Sequence, residues 1–182
     1  MEFPLSHYTG KIVVAATEEQ IENAVREINQ VEIVGFDTEA KPTFQKGQIR
    51  NIGLIQVATE NKVFLLRIHK VGVLDCIHDL LQNENILKIG IGLKDDYNLL
   101  DRLRSFKPKG FLDLNDTMEE LGAESIGARN LAAMILEIRI SKSAQTSNWE
   151  VEELTQKQLN YAATDAWICL EIYKKLEGWG YI

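Results

Sequence analysis

Glu32-Ile33-Val34-Gly35-Phe36-Asp37-Thr38-Glu39 is the stretch on which the fold turns. Residues 33–36 are apolar or glycine, the composition of a strand covered on both faces, yet the run closes on two carboxylates. Successive strand residues point to opposite faces, so Asp37 and Glu39 share one face, roughly 7 Å apart. The pair forms a two-armed oxygen claw at the end of a central strand. An Asp-x-Glu pair in that position is most often a solvated turn. Its chemistry therefore depends on what the rest of the chain brings to it.

Upstream of the claw, Lys11 to Ala15 reads as an edge strand, and Thr17 opens a helix that Gln20 caps reciprocally and that ends near Gln30. Downstream, Lys41 to Arg50 is a polar loop punctuated by Pro42 and Gly47. Two β-rich runs follow, Ile52 to Ala58 and Val63 to Leu66, and with the opening strand they make an antiparallel meander. From Gly72 the pattern alternates: a helix to about Leu81, a strand over Ile86 to Ile91, a helix from Lys94 to Arg104, and a short strand over Phe111 to Leu114. Helices fill most of the remainder. Lys142 to Trp149 reads as a polar linker, and the last helix after it has a second capping box in Thr155 and Gln158. The expected fold is α/β, a mixed sheet in which the meander is followed by βαβ units, with helices packed on it.

The chain has 182 residues, 45% of them hydrophobic and 26% charged, which suits one globular domain over residues 1–182 with a sizeable core. Cys76 and Cys169 lie in separate amphipathic runs and read as reduced thiols rather than a disulfide or zinc site. The three histidines are scattered and give no nitrogen-ligand cluster. No apolar run approaches the length of a membrane span and no leader pattern opens the chain, so the expected compartment is cytoplasmic, with no membrane partner. A net charge of -7 argues against a large basic footprint for nucleic acid. Acids gathered in one metal site would still leave room for a small local one.

Helical spacing identifies two further carboxylates on unexpected faces. Asp96 has Leu99, Leu100 and Leu103 on its own stripe, whereas Asp95 shares a face with Asn98 and Arg102, so Asp96 points inward and Asp95 to solvent. In the last helix Asp165 is flanked by Tyr161, Ala162, Ile168, Cys169 and Ile172, with no basic residue on that stripe. A carboxylate set there costs several kcal/mol unless it is paired or bound to a cation. Ala162, Ala163 and Ala166 let the helix lie close to a sheet. Asp37, Glu39, Asp96 and Asp165 then converge if the helices pack on one side of that sheet, and they repel one another without cations. An all-oxygen set selects a hard ion, Mg²⁺ or Mn²⁺. Two such ions about 4 Å apart form the clamp used for in-line attack of water on a phosphodiester.

Phe36-Asp37-Thr38-Glu39, Gly90-Ile91-Gly92-Leu93-Lys94-Asp95-Asp96 and Tyr161-Ala162-Ala163-Thr164-Asp165 together resemble the DEDD-type 3′-5′ exonucleases of the ribonuclease H-like (DnaQ-like) fold. The Tyr-x-x-x-Asp spacing is that of the tyrosine branch, DEDDy. Ser147-Asn148-Trp149 ahead of the third motif is similar to the group that includes ribonuclease D and the Werner syndrome helicase exonuclease domain. The resemblance runs from about Val31 to Leu176. It implies two Mg²⁺ or Mn²⁺ ions, with Asp37 bridging both, Glu39 and Asp165 completing the first, and Asp96 holding the second through water. It also implies that Tyr161 orients the attacking water. A tyrosine pKa near 10 fits a neutral hydrogen-bonding role better than a phenolate base.

The expected substrate is a single-stranded or recessed 3′ end. No helicase motif accompanies these residues, so targeting is expected from a separate helicase or a repair or RNA-processing partner. Lys41 and Lys46 are the nearest cations in sequence for phosphate, followed by Arg50, with Arg129 and Lys142 more distant. Phe44 is placed to stack on a terminal base, and Thr38 and Trp149 complete the candidate substrate contacts. The competing reading is a nucleic-acid-binding scaffold that keeps the exonuclease fold without turnover.

Overall fold

The computed structural model describes residues 3–182 apart from Ser125. Six strands form one sheet: β1 (Lys11–Ala15), β2 (Ile33–Ala40), β3 (Ile52–Ala58), β4 (Lys62–Leu66), β5 (Leu87–Gly90) and β6 (Phe111–Asp113), in the order β1-β4-β3-β2-β5-β6. The meander is as expected, with β2 antiparallel to β3 and β3 antiparallel to β4. β5 runs parallel to β2 and β6 parallel to β5, which are the βαβ steps. β1 is the far edge and pairs parallel with β4. No helix among the described residues is long and apolar enough to cross a membrane.

The helices are α1 (Glu18–Ile28), α2 (Ile68–Val71), α3 (Asp75–Leu81), α4 (Lys94–Leu103), α5 (Leu114–Glu120), α6 (Gly127–Leu136) and α7 (Gln156–Gly178). Both capping boxes form, at Thr17 with Gln20 and at Thr155 with Gln158. The single helix expected after Gly72 is instead preceded by the one-turn α2, because Gly72, at φ 80, breaks the run before α3 starts.

Strand alternation divides the core. Val34 and Phe36 of β2 point into a cluster with Ile21, Val25 and Ile28 of α1, Ile77 and Leu80 of α3, and Leu100 of α4. On the opposite face Leu54 and Ala58 of β3 pack on Ala162, Ala163 and Ala166 of α7, while Ile89 of β5 packs with Leu131 of α6 and Ile168 and Ile172 of α7. This corrects one expectation. α4 and α7 lie on different faces of the sheet, so the carboxylates they carry meet around the end of β2 rather than on one side.

α7 lies against β2 with almost no space between the two backbones. A β-carbon on Gly35 would stand 2.0 Å from the Ala166 carbonyl oxygen, so glycine is required there for lack of room, independently of its φ. The linker expected to be polar is anchored from below. Ala144 and Trp149 are fully buried, and the Arg67 guanidinium donates to the Val151 and Glu152 carbonyls just before α7 begins. Both cysteines are free thiols, as read, with Cys169 in the core.

Candidate metal centre

The claw sits at the C-terminal end of β2, where the strand register against β3 shifts between Glu39 and Ala40. Asp37 and Glu39 face α7, as Gly35 does, because all three are separated by two residues. The Gly35–Ala166 contact brings the first turns of α7 over them. One carboxylate oxygen from each of Asp37, Glu39 and Asp165 lies within 4.8 Å of the other two. Glu39 is buried, and Asp37 and Asp165 are only partly open to solvent.

Asp96 arrives from the other face. The Thr38 hydroxyl, which points away from Asp37 and Glu39, donates to Asp96 Oδ1 and ties the first turn of α4 to the strand. Asp95 is exposed, as the helical stripe indicated. That turn is also held from β6: the Asp113 carboxylate accepts from the backbone N–H groups of Gly92 (2.9 Å), Leu93 (2.7 Å) and Asn115 (3.0 Å). Under the claw, the fully buried Gln56 of β3 donates from Nε2 to Glu39 Oε1 at 3.3 Å. Its own Oε1 has no partner.

Gathering these acids costs free energy, and their titration reflects it. Burial, then the charges of Glu39, Asp165 and Asp96, push Asp37 well above the ordinary carboxylate range. Burial and then Asp165 push Glu39 up to about 9. Asp165 rises to about 7 by burial, held back by the Tyr161 hydroxyl, and Asp96 rises to about 6 by burial, held back by Thr38. Tyr161 is pushed up by burial and then by Asp165 and Glu39, so its hydroxyl keeps its proton at any physiological pH. A set of buried oxygens that resist ionisation together but ionise readily around positive charge fits a hard divalent cation.

Asp37, Glu39 and Asp165 floor a cavity of about 490 Å³, with Thr38 and Tyr161 beside them, whereas Asp96 lies behind Thr38 and does not line it. Its rim is α6 and the segment after it: Arg129 and Asn130, then Ser141, Lys142 and Gln145. Of the expected substrate contacts, Thr38 lines this cavity. Lys41, Phe44 and Lys46 do not. Lys41 pairs with Glu150 at 3.8 Å and lines a separate hollow, while Lys46 and Phe44 stand out on the exposed 41–51 loop, Phe44 at 87% exposure. Trp149 has no exposed surface. It packs on Tyr161, ring centres 5.8 Å apart, and its indole N–H donates to the Gln145 carbonyl at 3.4 Å, so the structure gives it a packing place behind the cavity wall instead of a contact surface. Arg129 and Lys142, the more distant cations in sequence, are the ones at the rim. Asn130, Ser141 and Gln145 gave no sequence signal, because nothing local to them marks the neighbourhood of the claw.

Residues 12–178 match the family model for 3′-5′ exonuclease. The chain is 31% identical over 187 residues to the bifunctional 3′-5′ exonuclease/ATP-dependent helicase WRN of Mus musculus, an alignment covering 97% of this chain and 13% of that protein. It thus spans a small fraction of that curated relative's length. In fold it is similar to the Nibbler EXO domain of Aedes aegypti, with a TM-score of 0.85 at 23% identity over 95% of this chain and 91% of that one. It is also similar to Trypanosoma brucei RNase D in complex with RNA U12, with a TM-score of 0.81 at 23% identity over 93% of this chain and 63% of that one.

Proposed function

The chain belongs to the 3′-5′ exonuclease family, and on that premise we propose that it hydrolyses phosphodiester bonds of DNA or RNA from the 3′ end, one nucleotide at a time. Residues 1–182 are proposed to act as a single exonuclease domain of the tyrosine branch. The observation that carries this reading is the triad of Asp37, Glu39 and Asp165 oxygens within 4.8 Å of one another, with Tyr161 one helical turn before Asp165.

Asp37, Glu39 and Asp165 would hold one Mg²⁺ or Mn²⁺, and Asp96, with Asp37, a second. Such ions, when bound, lower the pKa of water and neutralise charge on the attacking and leaving oxygens. The chain's own residues do the positioning. Thr38 fixes the Asp96 carboxylate, and Gln56 fixes that of Glu39. Tyr161 stays protonated and holds the nucleophilic water by a hydrogen bond. Arg129 and Lys142 meet the backbone of a single-stranded or recessed 3′ end, and Thr38 borders the cleaved group. Phe44, Lys41 and Lys46, which lie outside the cavity, serve only nucleotides farther from the 3′ end. Duplex ends are opened by a separate helicase or by a repair or RNA-processing partner.

Incubating the protein with 5′-labelled oligonucleotides, DNA and RNA, in Mg²⁺ or Mn²⁺ gives a ladder shortened from the 3′ end, abolished in Asp37→Ala. A wild-type protein that binds these strands but leaves them intact in either metal would establish the scaffold reading instead.

A further inference from the structure

Two smaller cavities adjoin the acid cavity, and their charge differs. One shares Ile126 and Asn130 with it and is otherwise walled by apolar groups and Glu137. The other, of about 340 Å³, shares Ser141 and Tyr161 with it and is lined by His7, Lys157 and Asn160. Lys157, Asn160, Tyr161 and Thr164 follow at i, i+3, i+4 and i+7, so one face of α7 runs from the acid cavity straight into this second one. Its outer wall is the N-terminal strap, which is firmly held. Ser6 N donates to the Arg139 carbonyl at 2.8 Å, Arg139 N to the Pro4 carbonyl at 2.9 Å, and Tyr8 N to Thr164 Oγ1 at 2.9 Å. Neither the His7 nor the Lys157 side chain has a hydrogen-bond or ion-pair partner among the described residues.

We propose that this second cavity is a subsite for the strand upstream of the cleaved nucleotide, with Lys157 and His7 receiving the phosphodiester next to the scissile one as it passes over Tyr161. The inference rests on the exonuclease reading and adds the strand's path. A polyanion leaving the acid cavity is repelled where Glu137 lies and attracted where Lys157 lies. The volume falls at the lower end of the range for small-ligand pockets, which suits one nucleotide unit. The Lys157 ammonium has no ion-pair partner among the described residues, so a phosphate displaces no such pair to reach it.

The test compares Lys157→Ala, Lys157→Gln and His7→Ala with wild type on a 5′-labelled twelve-residue oligothymidylate and on the p-nitrophenyl ester of thymidine 5′-monophosphate, which has no upstream phosphate. Lys157→Ala should lower kcat/KM on the oligonucleotide about tenfold more than on the ester. Removing one phosphate contact should also flatten the dependence of log kcat/KM on log salt by about 0.7 for a single strand, and Lys157→Arg should restore both. Equal losses on the two substrates, or an unchanged salt slope, overturn the subsite. Binding of a fluorescein-labelled strand over the same salts gives the slope without turnover. A protein that binds but does not cut thus fails the exonuclease reading while the subsite is still judged.

Discussion

The acid cavity has a floor of β2 and α7 and a rim of α6 and the linker after it, and the 41–51 loop stands outside it. On the floor, backbone meets backbone at Gly35 and Ala166, the carboxylates are mostly buried, and Gln56 and Thr38 each hold one of them. On the rim, Arg129 and Lys142 are exposed, and outside it Lys46 and Phe44 stand out on the 41–51 loop, Phe44 at 87% exposure. The floor spends stability to hold like charges together, and the rim offers scattered cations at little cost. On the proposed function, chemistry falls to the floor and substrate choice to the rim, so changes to one should leave a different signature from changes to the other.

The sharpest way to break this division is to neutralise the floor. Asp37→Asn should lower kcat by about 10³-fold, the scale of losing one preorganised electrostatic group, and it should raise the stability of the metal-free protein at pH 8. The sign follows from linkage. Folded-state pKa values raised above those of the unfolded chain, to about 6 at Asp96, about 7 at Asp165 and about 9 at Glu39, mean that the native state holds more protons than the unfolded one. Their contribution is fully present below the unfolded carboxylate range near pH 4 and is lost as pH rises through about 6 to 9. Metal-free Tm should therefore fall across that window, and Mn²⁺ should raise Tm more at pH 8 than at pH 6. Thermal scans of wild type and Asp37→Asn, with and without Mn²⁺, check both statements.

A smaller effect is expected from the floor's geometry alone. Gly35→Ala places a methyl group against the Ala166 carbonyl and must lift α7 from β2. Overpacking of this kind costs about 1–3 kcal/mol, and a displacement of about 1 Å at the reacting groups costs about 10²-fold in rate. Denaturant unfolding and single-turnover rates separate the two losses. Next, Gln56→Leu leaves Glu39 without its donor and should weaken Mn²⁺ binding about tenfold, the lower end for residues that orient a metal ligand, as read by calorimetry. The smallest change belongs to the rim. Arg129→Ala should raise KM a few-fold with kcat nearly unchanged, the signature of uniform binding lost. A large drop in kcat instead would place Arg129 with the floor.

The same division explains what could be read in advance. The alternation of β2, the helical stripes around Asp96 and Asp165, and the two capping boxes are local patterns, and each appears in the structure where the spacing put it. Which face of the sheet a helix covers is set by the handedness of its crossover and by the close Gly35–Ala166 approach, neither of which local spacing contains. Hence the expectation that α4 and α7 share a side failed although both of their acids were identified. Rim residues fared worse for a related reason. Lys41 and Lys46 are close to the claw in sequence but follow a loop that leads away from it, whereas Arg129 comes back to it from a helix some ninety positions later. Trp149, a candidate contact from its place ahead of the third motif, is fully buried, the packing place that a Trp just before a helix more commonly takes.

Asp165 is carried by α7, which follows all the other described elements in sequence and packs on β2, the second strand. A ribosome that has delivered Asp37, Glu39 and Asp96 has therefore made a polypeptide whose sheet can begin to pair while its carboxylate cluster lacks an arm. The three-carboxylate set of Asp37, Glu39 and Asp165 is complete only once α7 has been made and has docked on β2.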